Sequence, residues 1–247
     1  MTSCQQNRSA DIRSIPEAFF REIRTGSASP ILITNVPGRF QQNLPIGVYD
    51  RGILCRACED LFQQIDDYGI RVLLTEFDKF FEPMRLPNGA IAAYESSGAD
   101  GERVMRFVVA VAWRASVSTH AFYKDINLGP YEPVAASVVL EPSSSIPAVF
   151  GAVLSRWVVS AENEMAAQAG PDPIRKRFAG LNAFRIYLGK VVAHLKVDAG
   201  NFASPMSDLS LTKGELVRVL ARDFEKSKDF ATMKKVVWAA SKQRSGS

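Results

Sequence analysis

The sequence predicts an α+β fold: a small cysteine-bearing module over residues 1–75, then a region spanning 76–247 that begins helical and ends as antiparallel strands closed by a helix. Three observations predict it. Cys55 and Cys58 form a Cys-x-x-Cys pair at the head of an amphipathic run, with Cys4 far upstream. Val104, Phe107, Val108 and Val111 recur at helical spacing. Two alternating apolar runs, 184–188 and 191–197, flank Gly189-Lys190, the pattern of a hairpin with a two-residue turn.

Each element has a local reason. Ser14 is an N-cap for a helix to Arg24, with Pro16 in its first turn and Ala18, Phe19, Phe20 and Ile23 as its apolar face. Pro30 to Thr34 reads as a short strand between turn signals. After Cys58, Leu61, Phe62, Ile65 and Tyr68 form a helical stripe that Gly69 is expected to end. The turn at 96–101 should precede a buried helix from Arg103 to Tyr123, with Trp113 and Phe122 in the core and His120 at its boundary. Leu128 to Pro133 reads as a loop that restarts an element near Val134. A closing helix begins at the N-cap Ser227, with Asp229 in its first turn and Met233, Val236, Val237 and Ala240 on one face, and Ser241 to Ser247 should fray.

Composition narrows the class. With 247 residues and 47% apolar content the chain can bury an ordinary core. Its longest apolar run, Phe107 to Trp113, is far short of the roughly 20 residues that cross a bilayer, so no membrane span is expected. The polar start, with Gln5, Gln6, Asn7 and Arg8, does not read as a secretory signal. Three cysteines argue against a disulfide framework and for a reducing cytoplasmic setting. Lysine and arginine against aspartate and glutamate number 8 to 8 in residues 1–75, 6 to 9 in 76–150 and 16 to 9 in 151–247. The positive charge is therefore C-terminal. Arg175, Lys176 and Arg177, with Lys226, Lys228, Lys234 and Lys235, are the candidate nucleic-acid-binding residues, since such a surface tracks a phosphate backbone; the same charges also serve solubility.

Cys4, Cys55 and Cys58 are candidate zinc ligands. Structural zinc takes four, and the position where a second Cys-x-x-Cys would be completed holds Asn7. A fourth ligand could come from water or Asp11; alternatively the three thiols are buried and inert.

The order Cys4, Ile15-Pro16-Glu17-Ala18-Phe19-Phe20, then Ile53-Leu54-Cys55-Arg56-Ala57-Cys58 resembles the HNH endonuclease group. More of the first 140 residues, including GVYDRGILCRACEDLF, QQIDDYG and FVVAVAWRASVSTHAFYKDINLGPY, is similar to uncharacterised bacterial HNH-like proteins. The resemblance implies a ββα-metal-like module, a bacterial or phage-borne origin, and zinc held by paired cysteines. In that group a histidine that activates water stands ahead of an Ile-Pro step; the matching residues here are Arg13-Ser14-Ile15-Pro16. A guanidinium stays protonated and cannot accept a proton from water, so no catalytic residue is assigned. The first expectation is thus a degenerate HNH-like protein without hydrolytic activity that binds nucleic acid or a partner. A second is an active magnesium-dependent nuclease with acids re-sited among Glu59, Asp60, Asp66 and Asp67. A third is a non-catalytic interaction module whose apolar helix meets a protein partner or a second copy.

Overall fold

The computed structural model describes residues 11–13, 15–21, 31–32, 42–43, 49–51, 56–141, 143–168, 171–211 and 216–235. The N-terminal elements are short: β1 (Asp11–Arg13), α1 (Ala18–Arg21), β2 (Ile31–Leu32), β3 (Gln42–Asn43) and β4 (Tyr49–Arg51). β1 pairs antiparallel with β4, and β2 with β3. Arg13 stands opposite Tyr49 at the end of its ladder. The expected helix from Ser14 to Arg24 is described only as α1, with Ile15 and Phe19 buried and the Phe19 amide donating to the Pro16 carbonyl. Ser14, Ile23 and most of the predicted 30–34 strand lie outside the described residues.

The rest is an α+β body. β5 (Glu82–Arg85), β6 (Ile91–Ser96), β7 (Phe150–Val158), β8 (Ile174–Phe178), β9 (Leu181–Leu188), β10 (Val191–Val197) and β11 (Val217–Asp223) form one seven-stranded sheet in the order β5-β6-β11-β7-β10-β9-β8. Every pairing is antiparallel except β11 with β7. The predicted hairpin is present in register, Val191 opposite Leu188, and Gly189 supplies the positive φ of 61° that such a turn asks of its first central residue.

On one face of the sheet lie α2 (Arg56–Ile70), α4 (Gly101–Val117) and α5 (Glu132–Leu140); α3 (Phe77–Phe80) links α2 to β5. Strand period decides what meets them: Phe150, Ala152 and Leu154 of β7, Phe184, Ile186 and Leu188 of β9, and Val191, Ala193 and Leu195 of β10 all join the core that includes Val104, Phe107, Val108 and Val111 of α4. α4 starts where the Asp100 side chain caps the Arg103 amide at 3.1 Å. It ends at Val117, short of the expected Tyr123, where Ala121–Tyr123 forms a separate 3-10 turn that buries Phe122. Val104 to Ala112 are buried, so α4 is the central helix of the core.

Gly69 does not end its helix. The chain runs on through Ile70 into a π-helical turn, Arg71–Thr75. The reason for glycine is tertiary: a Cβ at 69 would lie 2.3 Å from Cγ of Phe107, so α2 and α4 approach closely there.

The opposite face carries the alternate residues, and Trp157, Tyr187 and Val192 form a second cluster with Ala167 of α6 (Glu164–Gln168), Phe224 and Met233. Residues 228–235 are helical and cover this face. Ser227 caps them as expected, its Oγ accepting from the Phe230 amide at 3.0 Å. Val236, Val237, Ala240 and the tail lie outside the described residues. Among the described residues no helix is long and apolar enough to cross a membrane.

Candidate nucleic-acid interface

Arg175, Lys176 and Arg177 form the middle of β8, an edge strand of the sheet, and all three are exposed. A strand alternates its side chains, so the three split. Lys176 pairs with Ala183 and shares the face of His194, whereas Arg175 and Arg177 pair with Phe184 and Asn182 and point to the other side. Arg177 is steadied by donating to the Gly180 carbonyl. Charges on an outer strand also protect it from pairing with another chain.

The helix at 228–235 brings further cations to the Lys176 side. Asp229, Phe230 and Met233 turn inward: Asp229 pairs with Arg185 of β9, and the two apolar side chains join the Trp157 and Tyr187 cluster. The helical period then sends Lys228, Lys234 and Lys235 outward, and all are exposed. Lys234 lies 4.6 Å over the Phe230 ring. Arg222 of β11, also exposed, lies 5.5 Å over Trp157.

The acids of this region are committed elsewhere. Asp229 holds Arg185, Glu164 holds Lys190 at 2.6 Å, and Asp223 holds Lys226 at 2.7 Å. Glu225 accepts from the Ser160 amide and hydroxyl at 2.9 and 2.8 Å, contacts that draw its pKa down to about 2. Among the described residues Lys176, Arg222, Lys228, Lys234 and Lys235 have no carboxylate in ion-pair range, nor do Arg175 and Arg177.

Beneath this surface the sheet buries charge. Arg185 and His194, cross-strand partners, are each 6% exposed. The His194 ring stacks on Phe178 with centroids 4.3 Å apart, and its Nε2 has no hydrogen-bond partner. Burial, reinforced by Arg185, Arg222 and Lys176, pushes its pKa down to about 3. Burial, helped by a hydrogen bond to Asp229, also raises the pKa of the Tyr187 hydroxyl. One signal of this network is present in the sequence: Arg185 and His194 each stand within a mostly apolar strand.

Cys4 and Cys55 lie outside the described residues. Cys58 sits in the first turn of α2, half-buried against the small cluster of Phe62, Ala110 and Val139. Among the described residues no three His, Cys, Asp or Glu side chains are grouped to hold a metal ion. The acids considered for re-siting do not gather: Asp60 and Asp67 are exposed, while both oxygens of Asp66 are taken by Arg114 at 2.7 Å. Comparison with protein-family models, curated proteins and solved structures found no match to this chain.

Proposed function

We propose that this chain is a degenerate HNH endonuclease-like protein that binds nucleic acid without hydrolysing it. The observation that carries the reading is the unopposed basic surface, in which β8, β11 and the helix at 228–235 present cations while neighbouring carboxylates are engaged in their own hydrogen bonds. Such a surface suits phosphate contacts, which position a nucleic acid without reading its sequence. The loss of hydrolysis rests on Arg13, which stands where the resemblance expects the water-activating histidine. The re-sited nuclease is weakened by Asp66, both of whose oxygens are engaged by the buried Arg114 at 2.7 Å. In the same reading Cys4, Cys55 and Cys58 are the surviving thiolates of a zinc knuckle, which metal analysis of protein purified without chelator would detect.

The test is incubation of the purified protein with plasmid in magnesium, manganese or zinc, beside a gel-shift series on labelled DNA and RNA. Retarded but intact nucleic acid is the expected result. Cleavage that disappears in an Asp60→Ala, Asp67→Ala variant would establish the active nuclease instead.

A further inference from the structure

The basic surface carries ring faces as well as charge. Phe178 closes β8, and the strand period puts it on the same side of the sheet as Lys176, with Arg177 between them turned away. Its ring lies flat on the sheet: it stacks on His194 of β10, with centroids 4.3 Å apart and planes inclined by 14°. His194 is 6% exposed and backs one face of that ring, while Phe178 itself is half-exposed. Phe202, in the loop after β10, stands perpendicular to it at 89°, with centroids 6.0 Å apart. Two ring contacts thus fix the orientation of Phe178 before any ligand arrives, which lowers the ordering cost of binding.

The approach to this ring is open. Ala179 and Gly180, in the turn that follows, are exposed, and a Cβ added at Gly180 would meet no atom within 4 Å among the described residues. A second half-exposed ring lies on the helix at 228–235, where Phe230 carries Lys234 at 4.6 Å. Each ring therefore accompanies a lysine that has no carboxylate in ion-pair range among the described residues. A ring that only sealed the sheet would gain most from being enclosed; Phe178 instead stays part-exposed at the end of an edge strand, beside a cation.

Resting on the reading that this surface binds nucleic acid, we propose that its ligand is single-stranded, with an unpaired base stacking on Phe178 and neighbouring phosphates held by Lys176 and the other unopposed cations. Cations interleaved with ring faces are the chemistry that tracks a single strand, because every base has a face to stack and the contact is indifferent to sequence. Charge alone favours a duplex, whose phosphates are the denser. Bases in a duplex are already stacked on one another, so a ring face selects for the unpaired form.

The test measures anisotropy of the full chain with a labelled single strand and with the duplex of the same sequence, at low salt. The single strand should bind the more tightly. Phe178→Leu should weaken the single strand about tenfold and leave the duplex and the salt slope unchanged, since no charge is removed, while Phe178→Trp, which keeps a ring, should retain the affinity. A 2-aminopurine in the strand should be quenched by the wild-type protein and less so by Phe178→Leu. The comparison of strand with duplex needs no variant and decides the matter if Phe178→Leu fails to fold. Duplex bound as tightly as single strand, or undiminished single-strand binding by a folded Phe178→Leu protein, would overturn this proposal and leave the nucleic-acid reading standing. Binding of neither form would overturn both.

Discussion

Asp66 and Arg114 form a two-pronged ion pair between α2 and α4, each carboxylate oxygen accepting from one guanidinium nitrogen at 2.7 Å. Arg114 is 2% exposed, and its guanidinium also lies 4.9 Å over the Phe62 ring. Removing the acid strands a buried cation, which costs on the order of 3–5 kcal/mol. Asp66→Ala should lose that much in chemical denaturation, whereas Asp67→Ala, at an exposed position, should stay within about 0.5 kcal/mol. Equal effects of the two substitutions would remove the structural role assigned to Asp66. The pair bears on function, because an acid held this way stabilises a helix crossing and is poorly placed to hold a catalytic metal.

Gly69→Ala separates the two explanations for that glycine. An exposed helical glycine replaced by alanine gains about 1 kcal/mol. Here the new methyl would meet Phe107 at 2.3 Å, and overpacking of this kind costs about 1–3 kcal/mol. The expected outcome is destabilisation that a Phe107→Leu background partly relieves, measured as a coupling in a double-mutant cycle. A stabilised Gly69→Ala would show that α2 and α4 do not touch there.

Ala179 occupies the left-handed region at φ 50°, followed by Gly180 at φ 82°, in the two-residue turn joining β8 to β9. Alanine is a poor resident of such a turn, where asparagine or glycine is favoured. Ala179→Asn should therefore raise stability, by about 0.5–1 kcal/mol, in thermal or urea unfolding. Loss of stability would contradict the turn geometry.

His194 stays neutral in the folded chain down to about pH 3, whereas an unfolded histidine takes up its proton near 6.5. The folded value is the lower, so its contribution is complete above pH 6.5 and is lost as pH falls from there toward 3. Within that window the slope from one proton is about 1.4 kcal/mol per pH unit. Glu225, drawn down to about 2, acts in the same direction but only below the ordinary glutamate range. Unfolding free energy measured from pH 5 to 6.5 should thus rise with pH, and His194→Gln should flatten the rise. An unchanged slope in a folded His194→Gln protein would assign it to another group.

Much of this architecture is local enough to be read from neighbouring residues. The β9–β10 hairpin is legible because Gly189-Lys190 and the alternation around it agree, and α4 because its apolar residues keep a helical period. What escapes the sequence depends on partners distant along the chain. Gly69 reads as a terminator until Phe107 is placed beside it. The hairpin of β5 and β6 leaves little pattern in the sequence although Asn88-Gly89 marks its turn, because its strand β5 is wholly exposed. The turn at Ala179 carries no strong sequence signal on its first residue, so Arg175, Lys176 and Arg177 read as surface charge rather than as an edge strand. The basic tract was visible, but its convergence with Arg222 was not, since β11 reaches its place through a parallel pairing with β7. The cysteine module offers less: Cys58 is in place on α2, while Cys4 and Cys55 lie outside the described residues.

The most direct test of the central claim is the salt dependence of binding to a labelled 20-nucleotide DNA and its RNA counterpart, read by anisotropy. The wild-type protein should bind with an association constant that falls linearly in log–log form with salt. A Lys176→Ala, Lys234→Ala, Lys235→Ala variant, which removes three cations from the one side of the sheet, should bind more weakly at every sequence tried, with its slope reduced by about 2. Absence of binding at low salt, or a triple variant with affinity and slope unchanged, would contradict the account.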